Sequence, residues 1–385
     1  MALSLLYLDG FDNIQFAALP LKYQNYSIPF VQGRILTGFK STGAISIDNT
    51  AGSQVSFSRT VGGFPCMMVA GHFQVSALSQ QIFLIIGTIT GPVPLLQLEI
   101  NTDGTMNLLD HAGSLLGQTT LAQALQAATT YWIEVNAVYG TSGSYEVWLG
   151  LAGSVPVKVL HGSANLTSAI PDTVTFQWVS SGSPHSLWID NLQVFSAAAL
   201  TDRNGPACVT GEICTAIVSK GGWTFAGSHG TSLIQAIADN ASYTELPDGK
   251  LSYDVPGTGN LTVLFAGSPC FGLVLGVALN VVATPVSSGV GMTMVANERS
   301  AFYVIGTASV VNTGTFPNIG DLDGYATYQA VAQLNGEGQN WNDLQISTAQ
   351  WGIEAAQVYV TQIYLEKLTD LTGQKYGCGE SSYSF

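Results

Sequence analysis

The chain has 385 residues, of which 46% are hydrophobic and only 9% are charged, and its formal net charge is −14. Soluble domains carry roughly 25% charged residues, and a disordered chain needs much charge with little hydrophobicity, so this profile excludes disorder. The acid surplus excludes phosphate backbones and anionic membranes as partners in both halves: residues 1–200 hold 5 basic and 10 acidic side chains, and residues 201–385 hold 6 and 15.

Such a length suits two domains. Ser, Thr, Asn, Gln and 43 glycines take the place of charge, as in a β-rich protein that packs against neighbours. The five cysteines, Cys66, Cys208, Cys214, Cys270 and Cys378, are odd in number and scattered. They form neither a disulfide framework nor a zinc pattern. Cys208 and Cys214 can pair across a short loop, but buried free thiols are the expected state. Met1–Leu8 lacks a basic flank and runs into Asp9, so no secretory signal is expected there. The sequons at Asn25, Asn165, Asn240 and Asn260 then read as accidental.

In chain order, Leu5–Asp12 opens as an apolar strand with a polar end. Ala44–Ile47 and Gln54–Arg59 alternate as half-buried strands do. Phe64–Val75, Gln81–Ile89 and Leu95–Ile100 continue the series, with a loop at Gly91–Pro94. Leu98–Leu108 predicts a hairpin, with Asp103-Gly104 supplying the positive φ angles of a tight turn. Leu121–Ala128 has helix formers and predicts a short helix. Tyr131–Val138 and Ser144–Leu149 predict a strand pair, and Val174–Trp178 leads into a closing strand at Ser186–Phe195. First and last strands commonly lie side by side in a β-sandwich, so Leu5–Asp12 and Ser186–Phe195 bracket one domain. The polar turn Thr201–Pro206 follows.

Asp103-Gly104-Thr105, Thr130–Val135, Gly143–Val147 and Trp188–Val194, in this order and spacing, resemble a jelly roll of the concanavalin-like (laminin-G-like) kind. The resemblance spans nearly all of residues 1–196.

The second half predicts strands at Gly222–Phe225, Ser252–Val255, Leu261–Phe265, Phe271–Val282, Val290–Asn297 and Ala301–Thr307, then Trp341–Ile346, Gln350–Ala355 and Gln357–Leu365. Leu261–Ala283 is long enough to span a bilayer. Gly267-Ser268-Pro269 breaks it, so two buried strands, not a membrane helix, are expected. The opening Leu6-Tyr7-Leu8-Asp9-Gly10-Phe11-Asp12 together with the Trp188–Val194 strand resembles a family of tailed-bacteriophage virion proteins. In that family a concanavalin-like domain is followed by a second β-domain. Gly211–Trp223, Asp239–Tyr243 and Trp341 through Trp351-Gly352-Ile353-Glu354 are similar to that second domain. Two departures stand out: Asn191 replaces the commoner acid, and Glu212-Ile213-Cys214 matches the connector only approximately.

The residues point to no reaction. Glycan hydrolysis needs two carboxylates about 5 to 10 Å apart. Asp9 and Asp12 are three apart, and Glu134 and Glu146 each lie alone on a strand. Asp321-Leu322-Asp323-Gly324 has suitable spacing in a Gly-rich turn, but a calcium loop would need a terminal Glu where Ala332 stands. Asp190 with Asn191 is a candidate ion ligand set, weighed against a strand-end hydrogen-bonding role. His72, His111, His161, His185 and His229 are single, and Gly227–Ser232 lacks a nucleophile elbow. No phosphate loop is present; Ser219–Gly222 lacks the order. Trp132, Trp148, Trp178 and Trp188 are candidates for sugar stacking, with core packing the more frequent use.

The expectation is an all-β chain: a concanavalin-like jelly-roll sandwich at 1–196, a connector at 197–222, a second β-sandwich at 223–370 and a tail at 371–385. No catalytic, cofactor or metal residue is expected. The resemblance implies a non-enzymatic structural protein of a tailed-phage virion, in the tail or adsorption apparatus as fibre or tip. Head decoration and a carbohydrate-binding adhesin are the alternatives, and a glycan depolymerase is the remotest. Other virion proteins and further copies of itself are the expected partners, host surface glycan is the alternative one, and neither nucleic acid nor membrane insertion is expected.

Overall fold

A computed structural model of the chain describes residues 3–11, 22–23, 33–37, 43–49, 54–89, 93–179, 185–197, 199–200, 205–225, 251–253, 259–266, 272–286, 289–298, 301–310, 325–355 and 357–371. It is an all-β chain in two compact units. The first runs from Tyr23 to Ala207 with the opening Met1–Phe11 added, and the second from Cys208 to Thr369 with Lys22 added.

The first unit contains β1 (Ser4–Asp9), β2 (Gly33–Thr37), β3 (Gly43–Asn49), β4 (Gln54–Thr60), β5 (Cys66–Val75), β6 (Gln81–Thr88) and β7 (Val93–Ile100). It continues with β8 (Met106–Asp110), β9 (Leu115–Gln118), β10 (Tyr131–Val138), β11 (Gly143–Leu151), β12 (Val157–Ala164), β13 (Thr173–Val179) and β14 (His185–Ser196). They form two antiparallel sheets, ordered β12-β11-β10-β5-β14-β3-β2, with β1 also on β14, and β4-β13-β6-β7-β8-β9. The first and closing strands do pair, Leu5 opposite Phe195 and Asp9 opposite Leu192. The sheets meet over an aromatic core in which Phe73 lies 5.6 Å from Phe83 and 5.9 Å from Phe176, and Phe57 lies 5.4 Å from Phe176. This is the expected concanavalin-like jelly-roll sandwich. Each such buried ring contributes roughly 1.5–3 kcal/mol relative to exposure.

Two local expectations change. The β7–β8 hairpin exists, with Ile100 opposite Met106, but a five-residue loop closes it. Gly104 alone carries a positive φ, +81°, and the Asp103 carboxylate instead accepts from the Thr105 N–H and hydroxyl. At Leu121–Ala128 only a single 3-10 turn forms, over Leu121–Gln123. The stretch is too short to offset helix nucleation.

The second unit contains β15 (Ala207–Ser219), β16 (Thr224–Phe225), β17 (Leu251–Tyr253), β18 (Gly259–Phe265), β19 (Val274–Pro285) and β20 (Val290–Glu298). It continues with β21 (Ala301–Val310), β22 (Ala326–Ala332), α1 (Asp343–Thr348), β23 (Gln350–Ala355) and β24 (Val358–Asp370). Ten strands form one antiparallel sheet, ordered β16-β17-β24-β15-β18-β23-β20-β21, with β19 between β22 and β24. The sheet folds over on itself as a second β-sandwich. Val277, Leu279 and Val281 of one half share a core with Leu261, Val263, Met294 and Ile353 of the other.

Residues 207–219, read as part of a connector, are thus a thirteen-residue strand beside β18 and β24. Its β-branched residues and cysteines suit a pleated, half-buried surface, while Gly205-Pro206 and Gly211 read as punctuation. Of the stretch Leu261–Ala283, weighed as a membrane span, Leu261–Phe265 lies in β18 and Val274–Ala283 in β19, and no helix among the described residues is long and apolar enough to cross a membrane. Trp341–Ile346 leads into helix rather than strand. Asn342 accepts from Gln345 N and the Gln345 side chain returns to Asn342 N, a capping box that opens α1.

Candidate functional site

On β10, Tyr131 and Ile133 point toward the second sheet of the first unit, where they line an apolar void of about 10 Å³ with Phe83 and Ile100. That is room for about one water and no sugar. Alternation turns Trp132, Glu134 and Asn136 to the opposite, outer face of the first sheet. The strand register brings His72, Glu146, Trp148 and Asp190 to the same face, through Trp132 opposite His72, Asn136 opposite Glu146, Glu134 opposite Trp148 and Asp190 opposite His72.

This register reveals a pair that chain position conceals. Glu134 and Glu146 lie on adjacent strands as diagonal neighbours, a relation that places Cα atoms about 7–8 Å apart. Distance alone would suit two catalytic carboxylates. Their surroundings do not. Glu134 is fully buried and accepts from Asn136 Nδ2 at 3.0 Å. Glu146 accepts from Lys158 Nζ at 2.5 Å and from the Trp148 indole N–H at 3.1 Å, while the Lys158 ammonium lies 5.1 Å from the Trp148 ring centre. Both carboxylates are committed to side chains of their own sheet.

Asp190 and Asn191 sit where β14 carries a bulge, between Asp190 and Gln193. Asn191 takes a left-handed φ of +53°, a conformation tolerated by Asn better than by most residues. The bulge lets the Asn191 amide donate to His72 Nδ1 at 3.3 Å. Burial holds the His72 imidazole neutral, with its pKa lowered to about 3. Its ring meets Trp132 edge-on at 5.0 Å. Among the described residues no three His, Cys, Asp or Glu side chains gather as a metal site requires. The pair weighed as ion ligands is buried, with Asn191 engaged by His72.

The remaining candidates scatter. His111 and His161 are exposed and His185 is half-buried, each on a different strand or turn. Trp178 is core, and its indole N–H donates to the His185 carbonyl at 3.1 Å. Trp148 and Trp188 are partly exposed. Cys66, Cys208 and Cys214 are buried free thiols, and burial pushes the Cys214 thiol up. Asp321–Gly324, His229 and Asp12 lie outside the described residues.

Asp9, from the opening motif, is a buried acceptor. Tyr7 and Tyr23 hydroxyls donate to its Oδ2 at 3.0 and 2.5 Å, and the Phe11 N–H to Oδ1 at 2.8 Å. Sequence reading missed two buried ion pairs in the second unit. Lys22 Nζ lies 3.2 Å from Glu366, and Lys367 Nζ lies 3.5 Å from Glu212 and 3.0 Å from Asp343. Asn280 and Gln329 amides also donate to Glu366, at 2.9 and 3.2 Å.

No family model matches the chain, and no curated protein matches it. Among solved structures it is similar to a sialidase, at 14% identity and a TM-score of 0.38 over 51% of this chain, but it spans only 19% of that protein. It is also similar to a carbohydrate esterase of Shiga toxin-encoding bacteriophage phi24B (13%, TM-score 0.36, 51% of this chain and 100% of that one). A third is the exoplasmic/lumenal domain of VIP36 (13%, TM-score 0.34, 52% and 95%). Likenesses this slight assign no activity to this chain.

Proposed function

We propose that this chain is a non-enzymatic structural protein of a tailed-phage virion, placed in the tail or adsorption apparatus and assembled through low-charge β surfaces. The observation that carries the non-enzymatic part is the commitment of Glu134 and Glu146, the one cross-strand acid pair on the outer face described above, to Asn136, Lys158 and Trp148. A hydrolase would need one of them free to exchange a proton with substrate. The virion part rests on the likeness of the opening and closing strands to that family. Little charge at the surface also lowers the desolvation cost of burying it against neighbours.

Mass spectrometry of gradient-purified particles tests the placement. The chain is expected among the particle proteins in fixed stoichiometry, and its absence from particles contradicts the reading. Labelling then separates tail from head decoration. Incubation with host polysaccharide is expected to release no reducing ends.

A second reading, a carbohydrate-binding adhesin, is favoured by one feature: Trp148 is partly exposed with Glu146 and Lys158 beside it, an aromatic face flanked by hydrogen-bonding groups. It requires glycan binding that Trp148→Ala abolishes. A negative glycan array removes it.

A further inference from the structure

We propose that the second unit forms an internal isopeptide bond between the Lys22 amine and the Asn280 side-chain amide, with Glu366 moving the protons. The inference stands apart from the assembly reading, since it concerns a reaction of the chain on itself. The buried ion pair described above is its reactant arrangement. Lys22 Nζ lies 3.2 Å from Glu366 Oε1 and 3.3 Å from Oε2, and Asn280 Nδ2 donates to that same Oε2 at 2.9 Å. One carboxylate thus bridges the amine and the amide to be joined. Lys22 and Glu366 are each 1% exposed, and Asn280 is fully buried.

The sheet places these groups. Asn280 on β19 lies opposite Tyr364 on β24, and Ala278 opposite Glu366, so Asn280 and Glu366 are diagonal neighbours on one face. Gln329 on β22 lies opposite Asn280 from the other side. Its Nε2 donates to Asn280 Oδ1 at 2.9 Å, while Asn280 Nδ2 also donates to the Ala278 carbonyl at 3.3 Å. Those contacts fix which end of the amide faces Glu366. Lys22 reaches this face from the opening of the chain, its Nζ 5.4 Å from the Tyr364 ring centre.

Each group has a part in amide exchange. Burial penalises both members of an ion pair, so passing a proton from the Lys22 ammonium to Glu366 Oε1 removes two buried charges and gives Nζ a lone pair. Nζ then attacks Asn280 Cγ, and the charge developing on Oδ1 is met by the Gln329 N–H. Glu366 protonates Nδ2 and takes the next proton from Nζ. The Nζ–Cγ bond forms, the Cγ–Nδ2 bond breaks and ammonia leaves, with the proton of the original ammonium left on Glu366. Held geometry favours the attack, and exclusion of water protects the product amide from hydrolysis. Lys367 supplies the contrast. It too lies beside two acids, Glu212 and Asp343, but Asp343 is 32% exposed, and an ionised carboxylate is a poor electrophile. No bond is expected there.

Peptide mapping of the full chain by mass spectrometry tests this. Trypsin is expected to yield a branched peptide joining the Lys22 and Asn280 segments, with no cleavage after Lys22. The intact denatured chain is expected to be lighter than its sequence by one ammonia. Lys22→Arg keeps the cation but supplies no nucleophilic amine. It is expected to show the full sequence mass, no branched peptide and slower migration on a denaturing gel, with circular dichroism unchanged. Glu366→Gln is expected to lose the branch as well, and a branched peptide in that variant overturns the part given to Glu366. A wild type of full sequence mass with separate Lys22 and Asn280 peptides overturns the proposal, whether or not either variant folds. So does loss of ammonia without the branch, as a succinimide at Asn335-Gly336 would give.

Discussion

Asp9 shows how a residue that reads as chemistry can be wholly structural. It lies in the opening motif, spaced three residues from another acid, and the folded chain uses it as a buried acceptor for Tyr7, Tyr23 and the Phe11 N–H. The network also fixes the left-handed turn at Phe11, φ +57°. Burial and the adjacent Asp9 charge hold the Tyr23 phenol well above its ordinary range. Asp9→Ala removes the buried acceptor that three donors share and is expected to cost about 3–5 kcal/mol in denaturant unfolding. A loss under 1 kcal/mol contradicts this role. His72 makes a pH prediction. Its folded pKa, about 3, lies below the ordinary 6.5, so the unfolded chain takes up a proton that the native chain refuses. That contribution is full above pH 6.5 and is lost as pH falls toward 3, by roughly 1 kcal/mol per pH unit. The difference between wild type and His72→Phe, measured by unfolding at a series of pH values, isolates it from other titrating groups. Equal slopes for both proteins contradict it.

At the scale of elements, Trp341 and Trp351-Gly352 turn out to be one device. The two indoles lie 4.9 Å apart, the Trp351 N–H donates to the Ile346 carbonyl at 3.0 Å, and α1 is thereby clamped against β23. Gly352 is required because β18 passes too close for a side chain: a Cβ there would meet the Leu261 carbonyl oxygen at 2.0 Å. Gly352→Ala is expected to destabilise by about 1–3 kcal/mol or more through displacement of β18, read as a fall in melting temperature. An unchanged melting temperature contradicts the close approach. On β24, the buried Glu366 gathers the buried Lys22 and the amides of Asn280 and Gln329. Lys22→Met leaves that carboxylate buried without its cation and is expected to cost about 3–5 kcal/mol in equilibrium unfolding. No measurable loss would show that the amides suffice.

These pairs explain what was legible beforehand and what was not. Alternation at Val174–Trp178 and Tyr131–Val138 reports which face of a strand is apolar, and those strands lie where the pattern placed them. The strand β15 stayed hidden behind its glycines, and α1 because a six-residue helix leaves almost no periodicity; its capping box, Asn342 with Gln345, was the available signal. Site geometry was less legible still. The Glu134–Glu146 relation, the His72–Asn191 contact and the Lys22–Glu366 pair all depend on register or on partners far along the chain, which no local pattern records.

For the whole molecule, scarce charge has two consequences. Several of the few ionised side chains, Lys22, Glu366, Lys367 and Glu212 among them, are spent inside the second unit. Among the described residues, what remains outside is largely polar and apolar β surface. Both suit the proposed assembly role. An electron-microscopy map of the intact phage particle tests that claim most directly. The account predicts this chain in repeated, symmetry-related copies that bury low-charge β surface against neighbouring proteins. A particle lacking it, or holding it as a solitary copy with open carboxylates lining a solvent-filled groove, would contradict the account.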